Sequence, residues 1–69
     1  MPADPEGCYF AGSARLALAL QAPPGTARCG ILATVPAACR GAAPVPGREA
    51  QSRRLAAALD DQHRSHGCP

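Results

Sequence analysis

Only ten of the 69 residues are Leu, Ile, Val or Phe, and this scarcity of bulky apolar side chains limits what the chain can fold into more than any other property. A chain of this length has room for one small domain, and such a domain needs a dense core or a covalent or metal staple. Half of the 46% hydrophobic share is alanine, whose methyl group removes little surface from water. Eight prolines and seven glycines interrupt the backbone, so few long elements can form to collect burial. Ala, Gly, Pro and Arg supply 38 of the 69 residues, while Lys, Asn and Trp are absent. A GC-rich reading frame yields that mixture without selection for a task. The fold class expected on these grounds is a mostly irregular, partly disordered small chain with some α content.

Residues 1–12 carry Pro2, Asp4, Pro5, Glu6 and Gly7 without an apolar period and are expected as a flexible N-terminal tail. Residues 13–47 form a Pro/Gly/Ala-rich segment. Within it, Ser13 can cap a short helix over residues 13–21, with Leu16 and Leu20 one turn apart and Pro23-Pro24 as the stop. Leu16, Leu18 and Leu20 also alternate at strand period, but Leu and Ala are strong helix formers and neither is β-branched. Residues 31–35, ended by Pro36, are the one stretch that reads as a short strand. The Pro/Gly clusters at 22–25 and 44–47 are low complexity and too short for a repeat architecture.

The third segment, residues 48–66, contains the best-specified element, an amphipathic helix near 48–64. It is rich in Ala, Leu, Arg, Gln and Glu, is free of Pro and Gly, and has Gly67 just past its end as a stop. At about 100° per residue, Gln51, Ser52, Leu55, Ala56, Ala58, Leu59, Gln62 and His63 share one side. Glu49, Arg53, Arg54, Asp60, Asp61 and Arg64 share the other. Glu49 with Arg53, and Asp60 with Arg64, stand four apart in acid-first order, each pair adding about 0.2–0.5 kcal/mol.

The formal charge of +2 is too small to steer the chain to nucleic acid or an anionic membrane. Only two aromatic side chains are available for base stacking. No uncharged stretch approaches the roughly 20 apolar residues of a membrane-spanning helix. The acids ahead of Arg15 and the bulky Leu20 before any cut at Ala22 argue against an export signal, so the default expectation for compartment is the cytoplasm. No nucleic-acid, membrane or cofactor partner is expected.

Cys8, Cys29, Cys39 and Cys68 are an even set that allows three pairings. Without an export signal, free thiols in a reducing cytosol are the expectation. Were bonds to form, Cys29 with Cys39 closes the shortest loop and Cys8 with Cys68 ties the ends. His63, His66 and Cys68 crowd the C-terminus and, with Cys29 and Cys39, are the candidate metal ligands. They make half a zinc site, because zinc modules normally bring two close ligand pairs. Ser65, His66, Asp60 and Asp61 are the residue types of a hydrolytic triad, but neighbours on one helix end point in different directions. Gly25 and Gly30 have phosphate-loop spacing, yet Ile31 stands where that loop needs its lysine.

The functional expectation is a small non-enzymatic protein, a protein-interaction peptide acting through the helix face of Leu55, Ala58 and Leu59. Its partner would be another protein or a second copy of itself. The alternative is a small zinc- or disulfide-stapled module. A remote third reading, a precursor of a thioether-modified ribosomal peptide, rests on the hydroxyl-to-thiol spacing of Thr26 to Cys29 and of Ser65 to Cys68.

Overall fold

The computed structural model describes residues 4–68. In chain order it contains α1 (Pro5–Gln21), α2 (Thr26–Leu32), a 3-10 turn (Ala37–Cys39) and α3 (Glu49–Ser65). Helices hold 68% of the described residues. The radius of gyration is 11.7 Å, against about 11 Å for a folded chain of this length and about 25 Å for an unfolded one. The expectation of a mostly irregular, partly disordered chain is therefore overturned.

Two local features correct the reading of the N-terminal half. Of the expected tail, residues 1–3 lie outside the described residues, and residues 5–12 are the first turns of α1. Pro and the acids in that stretch are helix-start chemistry. The Asp4 carboxylate accepts from the backbone N–H groups of Glu6 (3.2 Å) and Gly7 (3.3 Å), a cap of about 1 kcal/mol. Pro5 occupies the first turn, where its missing N–H is no loss, and Glu6 faces the positive end of the helix dipole. Residues 13–21, expected as a short helix, are the second half of α1, which stops at Ala22 ahead of Pro23.

Residues 31–35 are not a strand. Ile31 and Leu32 close α2, and the Val35 N–H donates back to the Leu32 carbonyl at 3.2 Å. The β-branched residues lost to spacing: Leu32 and Val35, three apart, are both buried, a separation that fits a helical turn. Among the described residues no second strand exists to satisfy an extended edge.

The core is as small as composition allows. Ala19 and Leu32 are fully buried, Val35 and Val45 nearly so, and among the described residues Leu32 is the one large side chain fully enclosed. Burying it contributes about 1.5–3 kcal/mol. The α1 helix packs on α2, on α3 and on the 3-10 turn. At its centre Gly12 is buried, and a Cβ there would lie 3.1 Å from Leu55 Cδ2 and 3.4 Å from Leu59 Cδ1. The glycine lets α1 and α3 approach closely. The Ser52 hydroxyl accepts from the buried Val45 N–H at 3.0 Å, fixing the loop that leads into α3.

Covalent bonds supply what the core lacks. Cys8 pairs with Cys39 and Cys29 with Cys68, with Cα separations of 5.2 and 5.4 Å, both near the usual spacing. The expectation of free thiols is overturned, as is the local pairing of Cys29 with Cys39. The physical reason is the stiffness of the intervening elements: among the described residues the 3-10 turn packs on α1 and makes no contact set with α2. The two loops interleave along the chain, tying α1 to the 3-10 turn and α2 to the turn that follows α3.

The end of α3 shows how local and covalent structure cooperate. Gly67 takes φ +61, the Cys68 N–H donates to the His63 carbonyl at 2.9 Å, and the Gly67 N–H donates to Arg64 at 3.2 Å. That pattern is a Schellman turn. It reverses the chain at the helix end and returns Cys68 to α2, where Cys29 holds it.

Candidate functional site

The α3 helix turns its apolar side inward. Leu55, Ala58 and Leu59 are half-buried, and Leu55 and Leu59 lie against Gly12 of α1. Ser52, Gln62 and His63 are also half-buried, whereas Gln51 and Ala56 are exposed. The opposite side is solvated. Among the described residues one ion pair closes, Arg64 to Asp60 at 2.9 Å across an exposed helical turn, worth a few tenths of a kcal/mol.

Beside this seam runs an open groove of about 460 Å³, between residues 35–42 and α3. Val35, Ala42, Ala56 and Leu59 give it apolar walls, Cys39 brings in the disulfide, and Arg40, Asp60 and His63 supply its polar groups. Its volume falls within the range of ligand clefts, roughly 300–1,000 Å³. A smaller cleft of about 100 Å³ on the α1 side is lined by Tyr9, Gly12, Leu55 and Leu59 among others. Leu59 therefore borders both hollows, Leu55 borders the smaller, and Ala58 borders neither.

A polar cluster closes the far end of the molecule. Arg28 Nη2 donates to the Ala22 carbonyl at 2.9 Å, just past the end of α1. Arg28 Nη1 donates to His66 Nε2 at 3.0 Å and to Gln62 Oε1 at 3.4 Å. Arginine can only donate, so Nε2 of His66 accepts and its ring proton sits on Nδ1. Arg28 Nε is buried without a hydrogen-bond partner. One guanidinium thus joins α1, α2 and α3 beside the Cys29–Cys68 bond.

The candidate metal ligands are not brought together. Cys29, Cys39 and Cys68 are all in disulfides and have no thiolate to offer a metal. His63 lines the groove while His66 serves Arg28. Among the described residues no three His, Cys, Asp or Glu side chains are grouped to hold an ion. The triad residue types are likewise dispersed: Ser65 is exposed, His66 is held by Arg28 and Asp60 by Arg64. Among the described residues no helix is long and apolar enough to cross a membrane.

Sequence reasoning missed Arg28 and Gly12. Neither stands in a local pattern, since Arg28 is a lone cation in a short helix and Gly12 resembles a helix breaker. Apart from the Ala22 carbonyl six residues before Arg28, their partners are 34 or more residues away. No protein family matches this chain, no curated protein is similar to it, and no solved structure matches its fold. The fold and site define a small helical protein stapled by two interleaved disulfides.

Proposed function

We propose that this chain is a non-enzymatic, disulfide-stapled binding module whose groove beside α3 takes an apolar anchor residue of a peptide partner. The observation that supports it most is the groove itself: apolar walls from Val35, Ala42, Ala56 and Leu59, with Cys39 holding the facing segment to α1. A covalently fixed wall gives a preformed site, and preformed sites lose little affinity to ordering. At the groove Arg40 is exposed, while Asp60 is engaged by Arg64, so the favoured peptide carries an acidic residue next to its anchor. The interaction reading of α3 is retained through Leu59, whereas Leu55 works from inside, against α1. Two disulfides do not go with a reducing cytosol, so the proposal sets the working protein in an oxidising environment.

A displayed peptide library selected on the oxidised protein tests this. Enriched peptides are expected to share one apolar and one acidic position. Ala56→Arg, at an exposed helical site in the groove wall, is expected to weaken them at least tenfold, and Arg40→Glu is expected to reverse the acidic preference. If no peptide enriches above the reduced and alkylated chain, the reading fails.

A further inference from the structure

We infer that the hollow between the start of α1 and the turn before α3 binds a trimethylammonium group joined by a short linker to an anion, the chemistry of a phosphocholine head group. Glu6, Tyr9, Phe10, Val45 and Arg48 line it, and none of them lines the groove beside α3. Tyr9 and Phe10 are the chain's only Tyr and Phe, and it has no Trp, so all of its large aromatic rings stand here. Their centroids are 6.1 Å apart and their planes meet at 75°, as two walls of a corner. Phe10 is 68% exposed, open to a ligand and withheld from the core. Glu6 precedes the two aromatics by three and four residues, the spacing of one helix face. A turn builds the opposite wall. The Arg48 N–H donates to the Val45 carbonyl at 2.9 Å across Pro46 and Gly47, and Gly47 takes φ +81, the residues and hydrogen bond of a type II turn. Val45 is buried and its N–H is held by Ser52, so this wall is fixed before a ligand arrives.

Charge selects the ligand. Glu6 and Arg48 line the same hollow, yet among the described residues the one ion pair is Arg64 with Asp60. The two opposite charges are left apart, available to a molecule that carries both. Aromatic rings beside a carboxylate attract a cation. An ordinary ammonium would bring three N–H donors, and the side chains of the hollow answer with one carboxylate and one hydroxyl. A trimethylammonium has no donor to strand. Arg48 repels a bare cation but takes a phosphate or carboxylate attached to it through charge-assisted hydrogen bonds. The volume of about 150 Å³ is below that of clefts for drug-sized molecules and suits a head group.

Amide chemical-shift titration of the oxidised chain with phosphocholine tests this. Saturable shifts are expected at Tyr9, Phe10, Val45 and Arg48, with a Kd on the order of 1 mM for so small and open a site. Phosphoethanolamine, which keeps the N–H donors, is expected to bind at least about fivefold more weakly. Phe10→Leu and Glu6→Gln are both at exposed positions, and each is expected to weaken phosphocholine at least about threefold. Arg48→Gln is expected to weaken phosphocholine but not choline, which lacks the anion. The absence of saturable shifts up to about 20 mM phosphocholine overturns the inference. So does phosphoethanolamine binding as tightly as phosphocholine, or a full response in both F10L and E6Q. Phosphatidylcholine vesicles distinguish the source: broadening of the same signals assigns a lipid head group, and phosphocholine binding without a vesicle effect assigns a soluble ligand, the site standing in either case.

Discussion

Replacing Cys8 and Cys39 together by serine removes the bond that ties the start of α1 to the 3-10 turn. The bond spans 31 residues of sequence, and closing a loop of that length lowers the entropy of the unfolded chain by an amount worth about 3.7 kcal/mol. The Cys29–Cys68 bond spans 39 residues, worth about 3.9 kcal/mol on the same basis. The loops interleave, so each closure already shortens part of the other and the pair contributes less than the sum, about 6–7 kcal/mol. Whole domains of this size are stable by about 3–10 kcal/mol. Either pair removed should leave marginal structure, and both removed should leave none.

The assay is urea unfolding followed by far-ultraviolet circular dichroism. With a slope near 1 kcal/mol per molar for so small a chain, the midpoint of the Cys8→Ser, Cys39→Ser variant is expected to fall by roughly 3 M. The fully reduced chain should lose most of its helical signal in buffer alone. A reduced chain that keeps that signal and melts cooperatively would show that packing around Leu32 suffices, and the reasoning from a small core would be wrong. Connectivity can be checked directly. Trypsin without reductant should leave residues 1–15, 29–40 and 65–69 in one linked species, whereas Cys29–Cys39 with Cys8–Cys68 would release two. A further cut after Leu32 should split that species into a Cys8–Cys39 pair and a Cys29–Cys68 pair.

Gly12→Leu is expected to destabilise the fold by about 1–3 kcal/mol through overpacking against Leu55 and Leu59. Gly12→Ala should be close to neutral, its gain in helix propensity of about 1 kcal/mol offset by the contact with Leu55; a leucine variant with a higher urea midpoint than wild type would refute the close approach. Arg28→Met should cost about 1–3 kcal/mol, because the Ala22 carbonyl and the His66 acceptor lose their donor. Its loss should appear in amide exchange as faster opening at the C-terminal ends of α1 and α3 alike, and protection unchanged at both ends would remove Arg28 from its bridging role.

What could be read from the chain alone was whatever its near neighbours decide. Helix propensity between Arg48 and Gly67, the Gly67 stop and the Asp60–Arg64 spacing are all set within a turn or two, and α3 with its ion pair follows from them. The Asp4-Pro5-Glu6 start of α1 was equally local and was obscured because proline and acids also mark tails. The scarcity of large apolar residues was likewise plain, and a single fully enclosed leucine reflects it. Tertiary structure alone decided that Cys8 meets Cys39 and Cys29 meets Cys68, that Gly12 receives Leu55 and Leu59, and that Arg28 joins three helices. It also decided that Phe10 and Leu18 face outward. Those outcomes depend on the directions in which stiff helices carry residues far apart in sequence, and four cysteines allow three pairings that composition and spacing cannot rank once the segments between them are rigid.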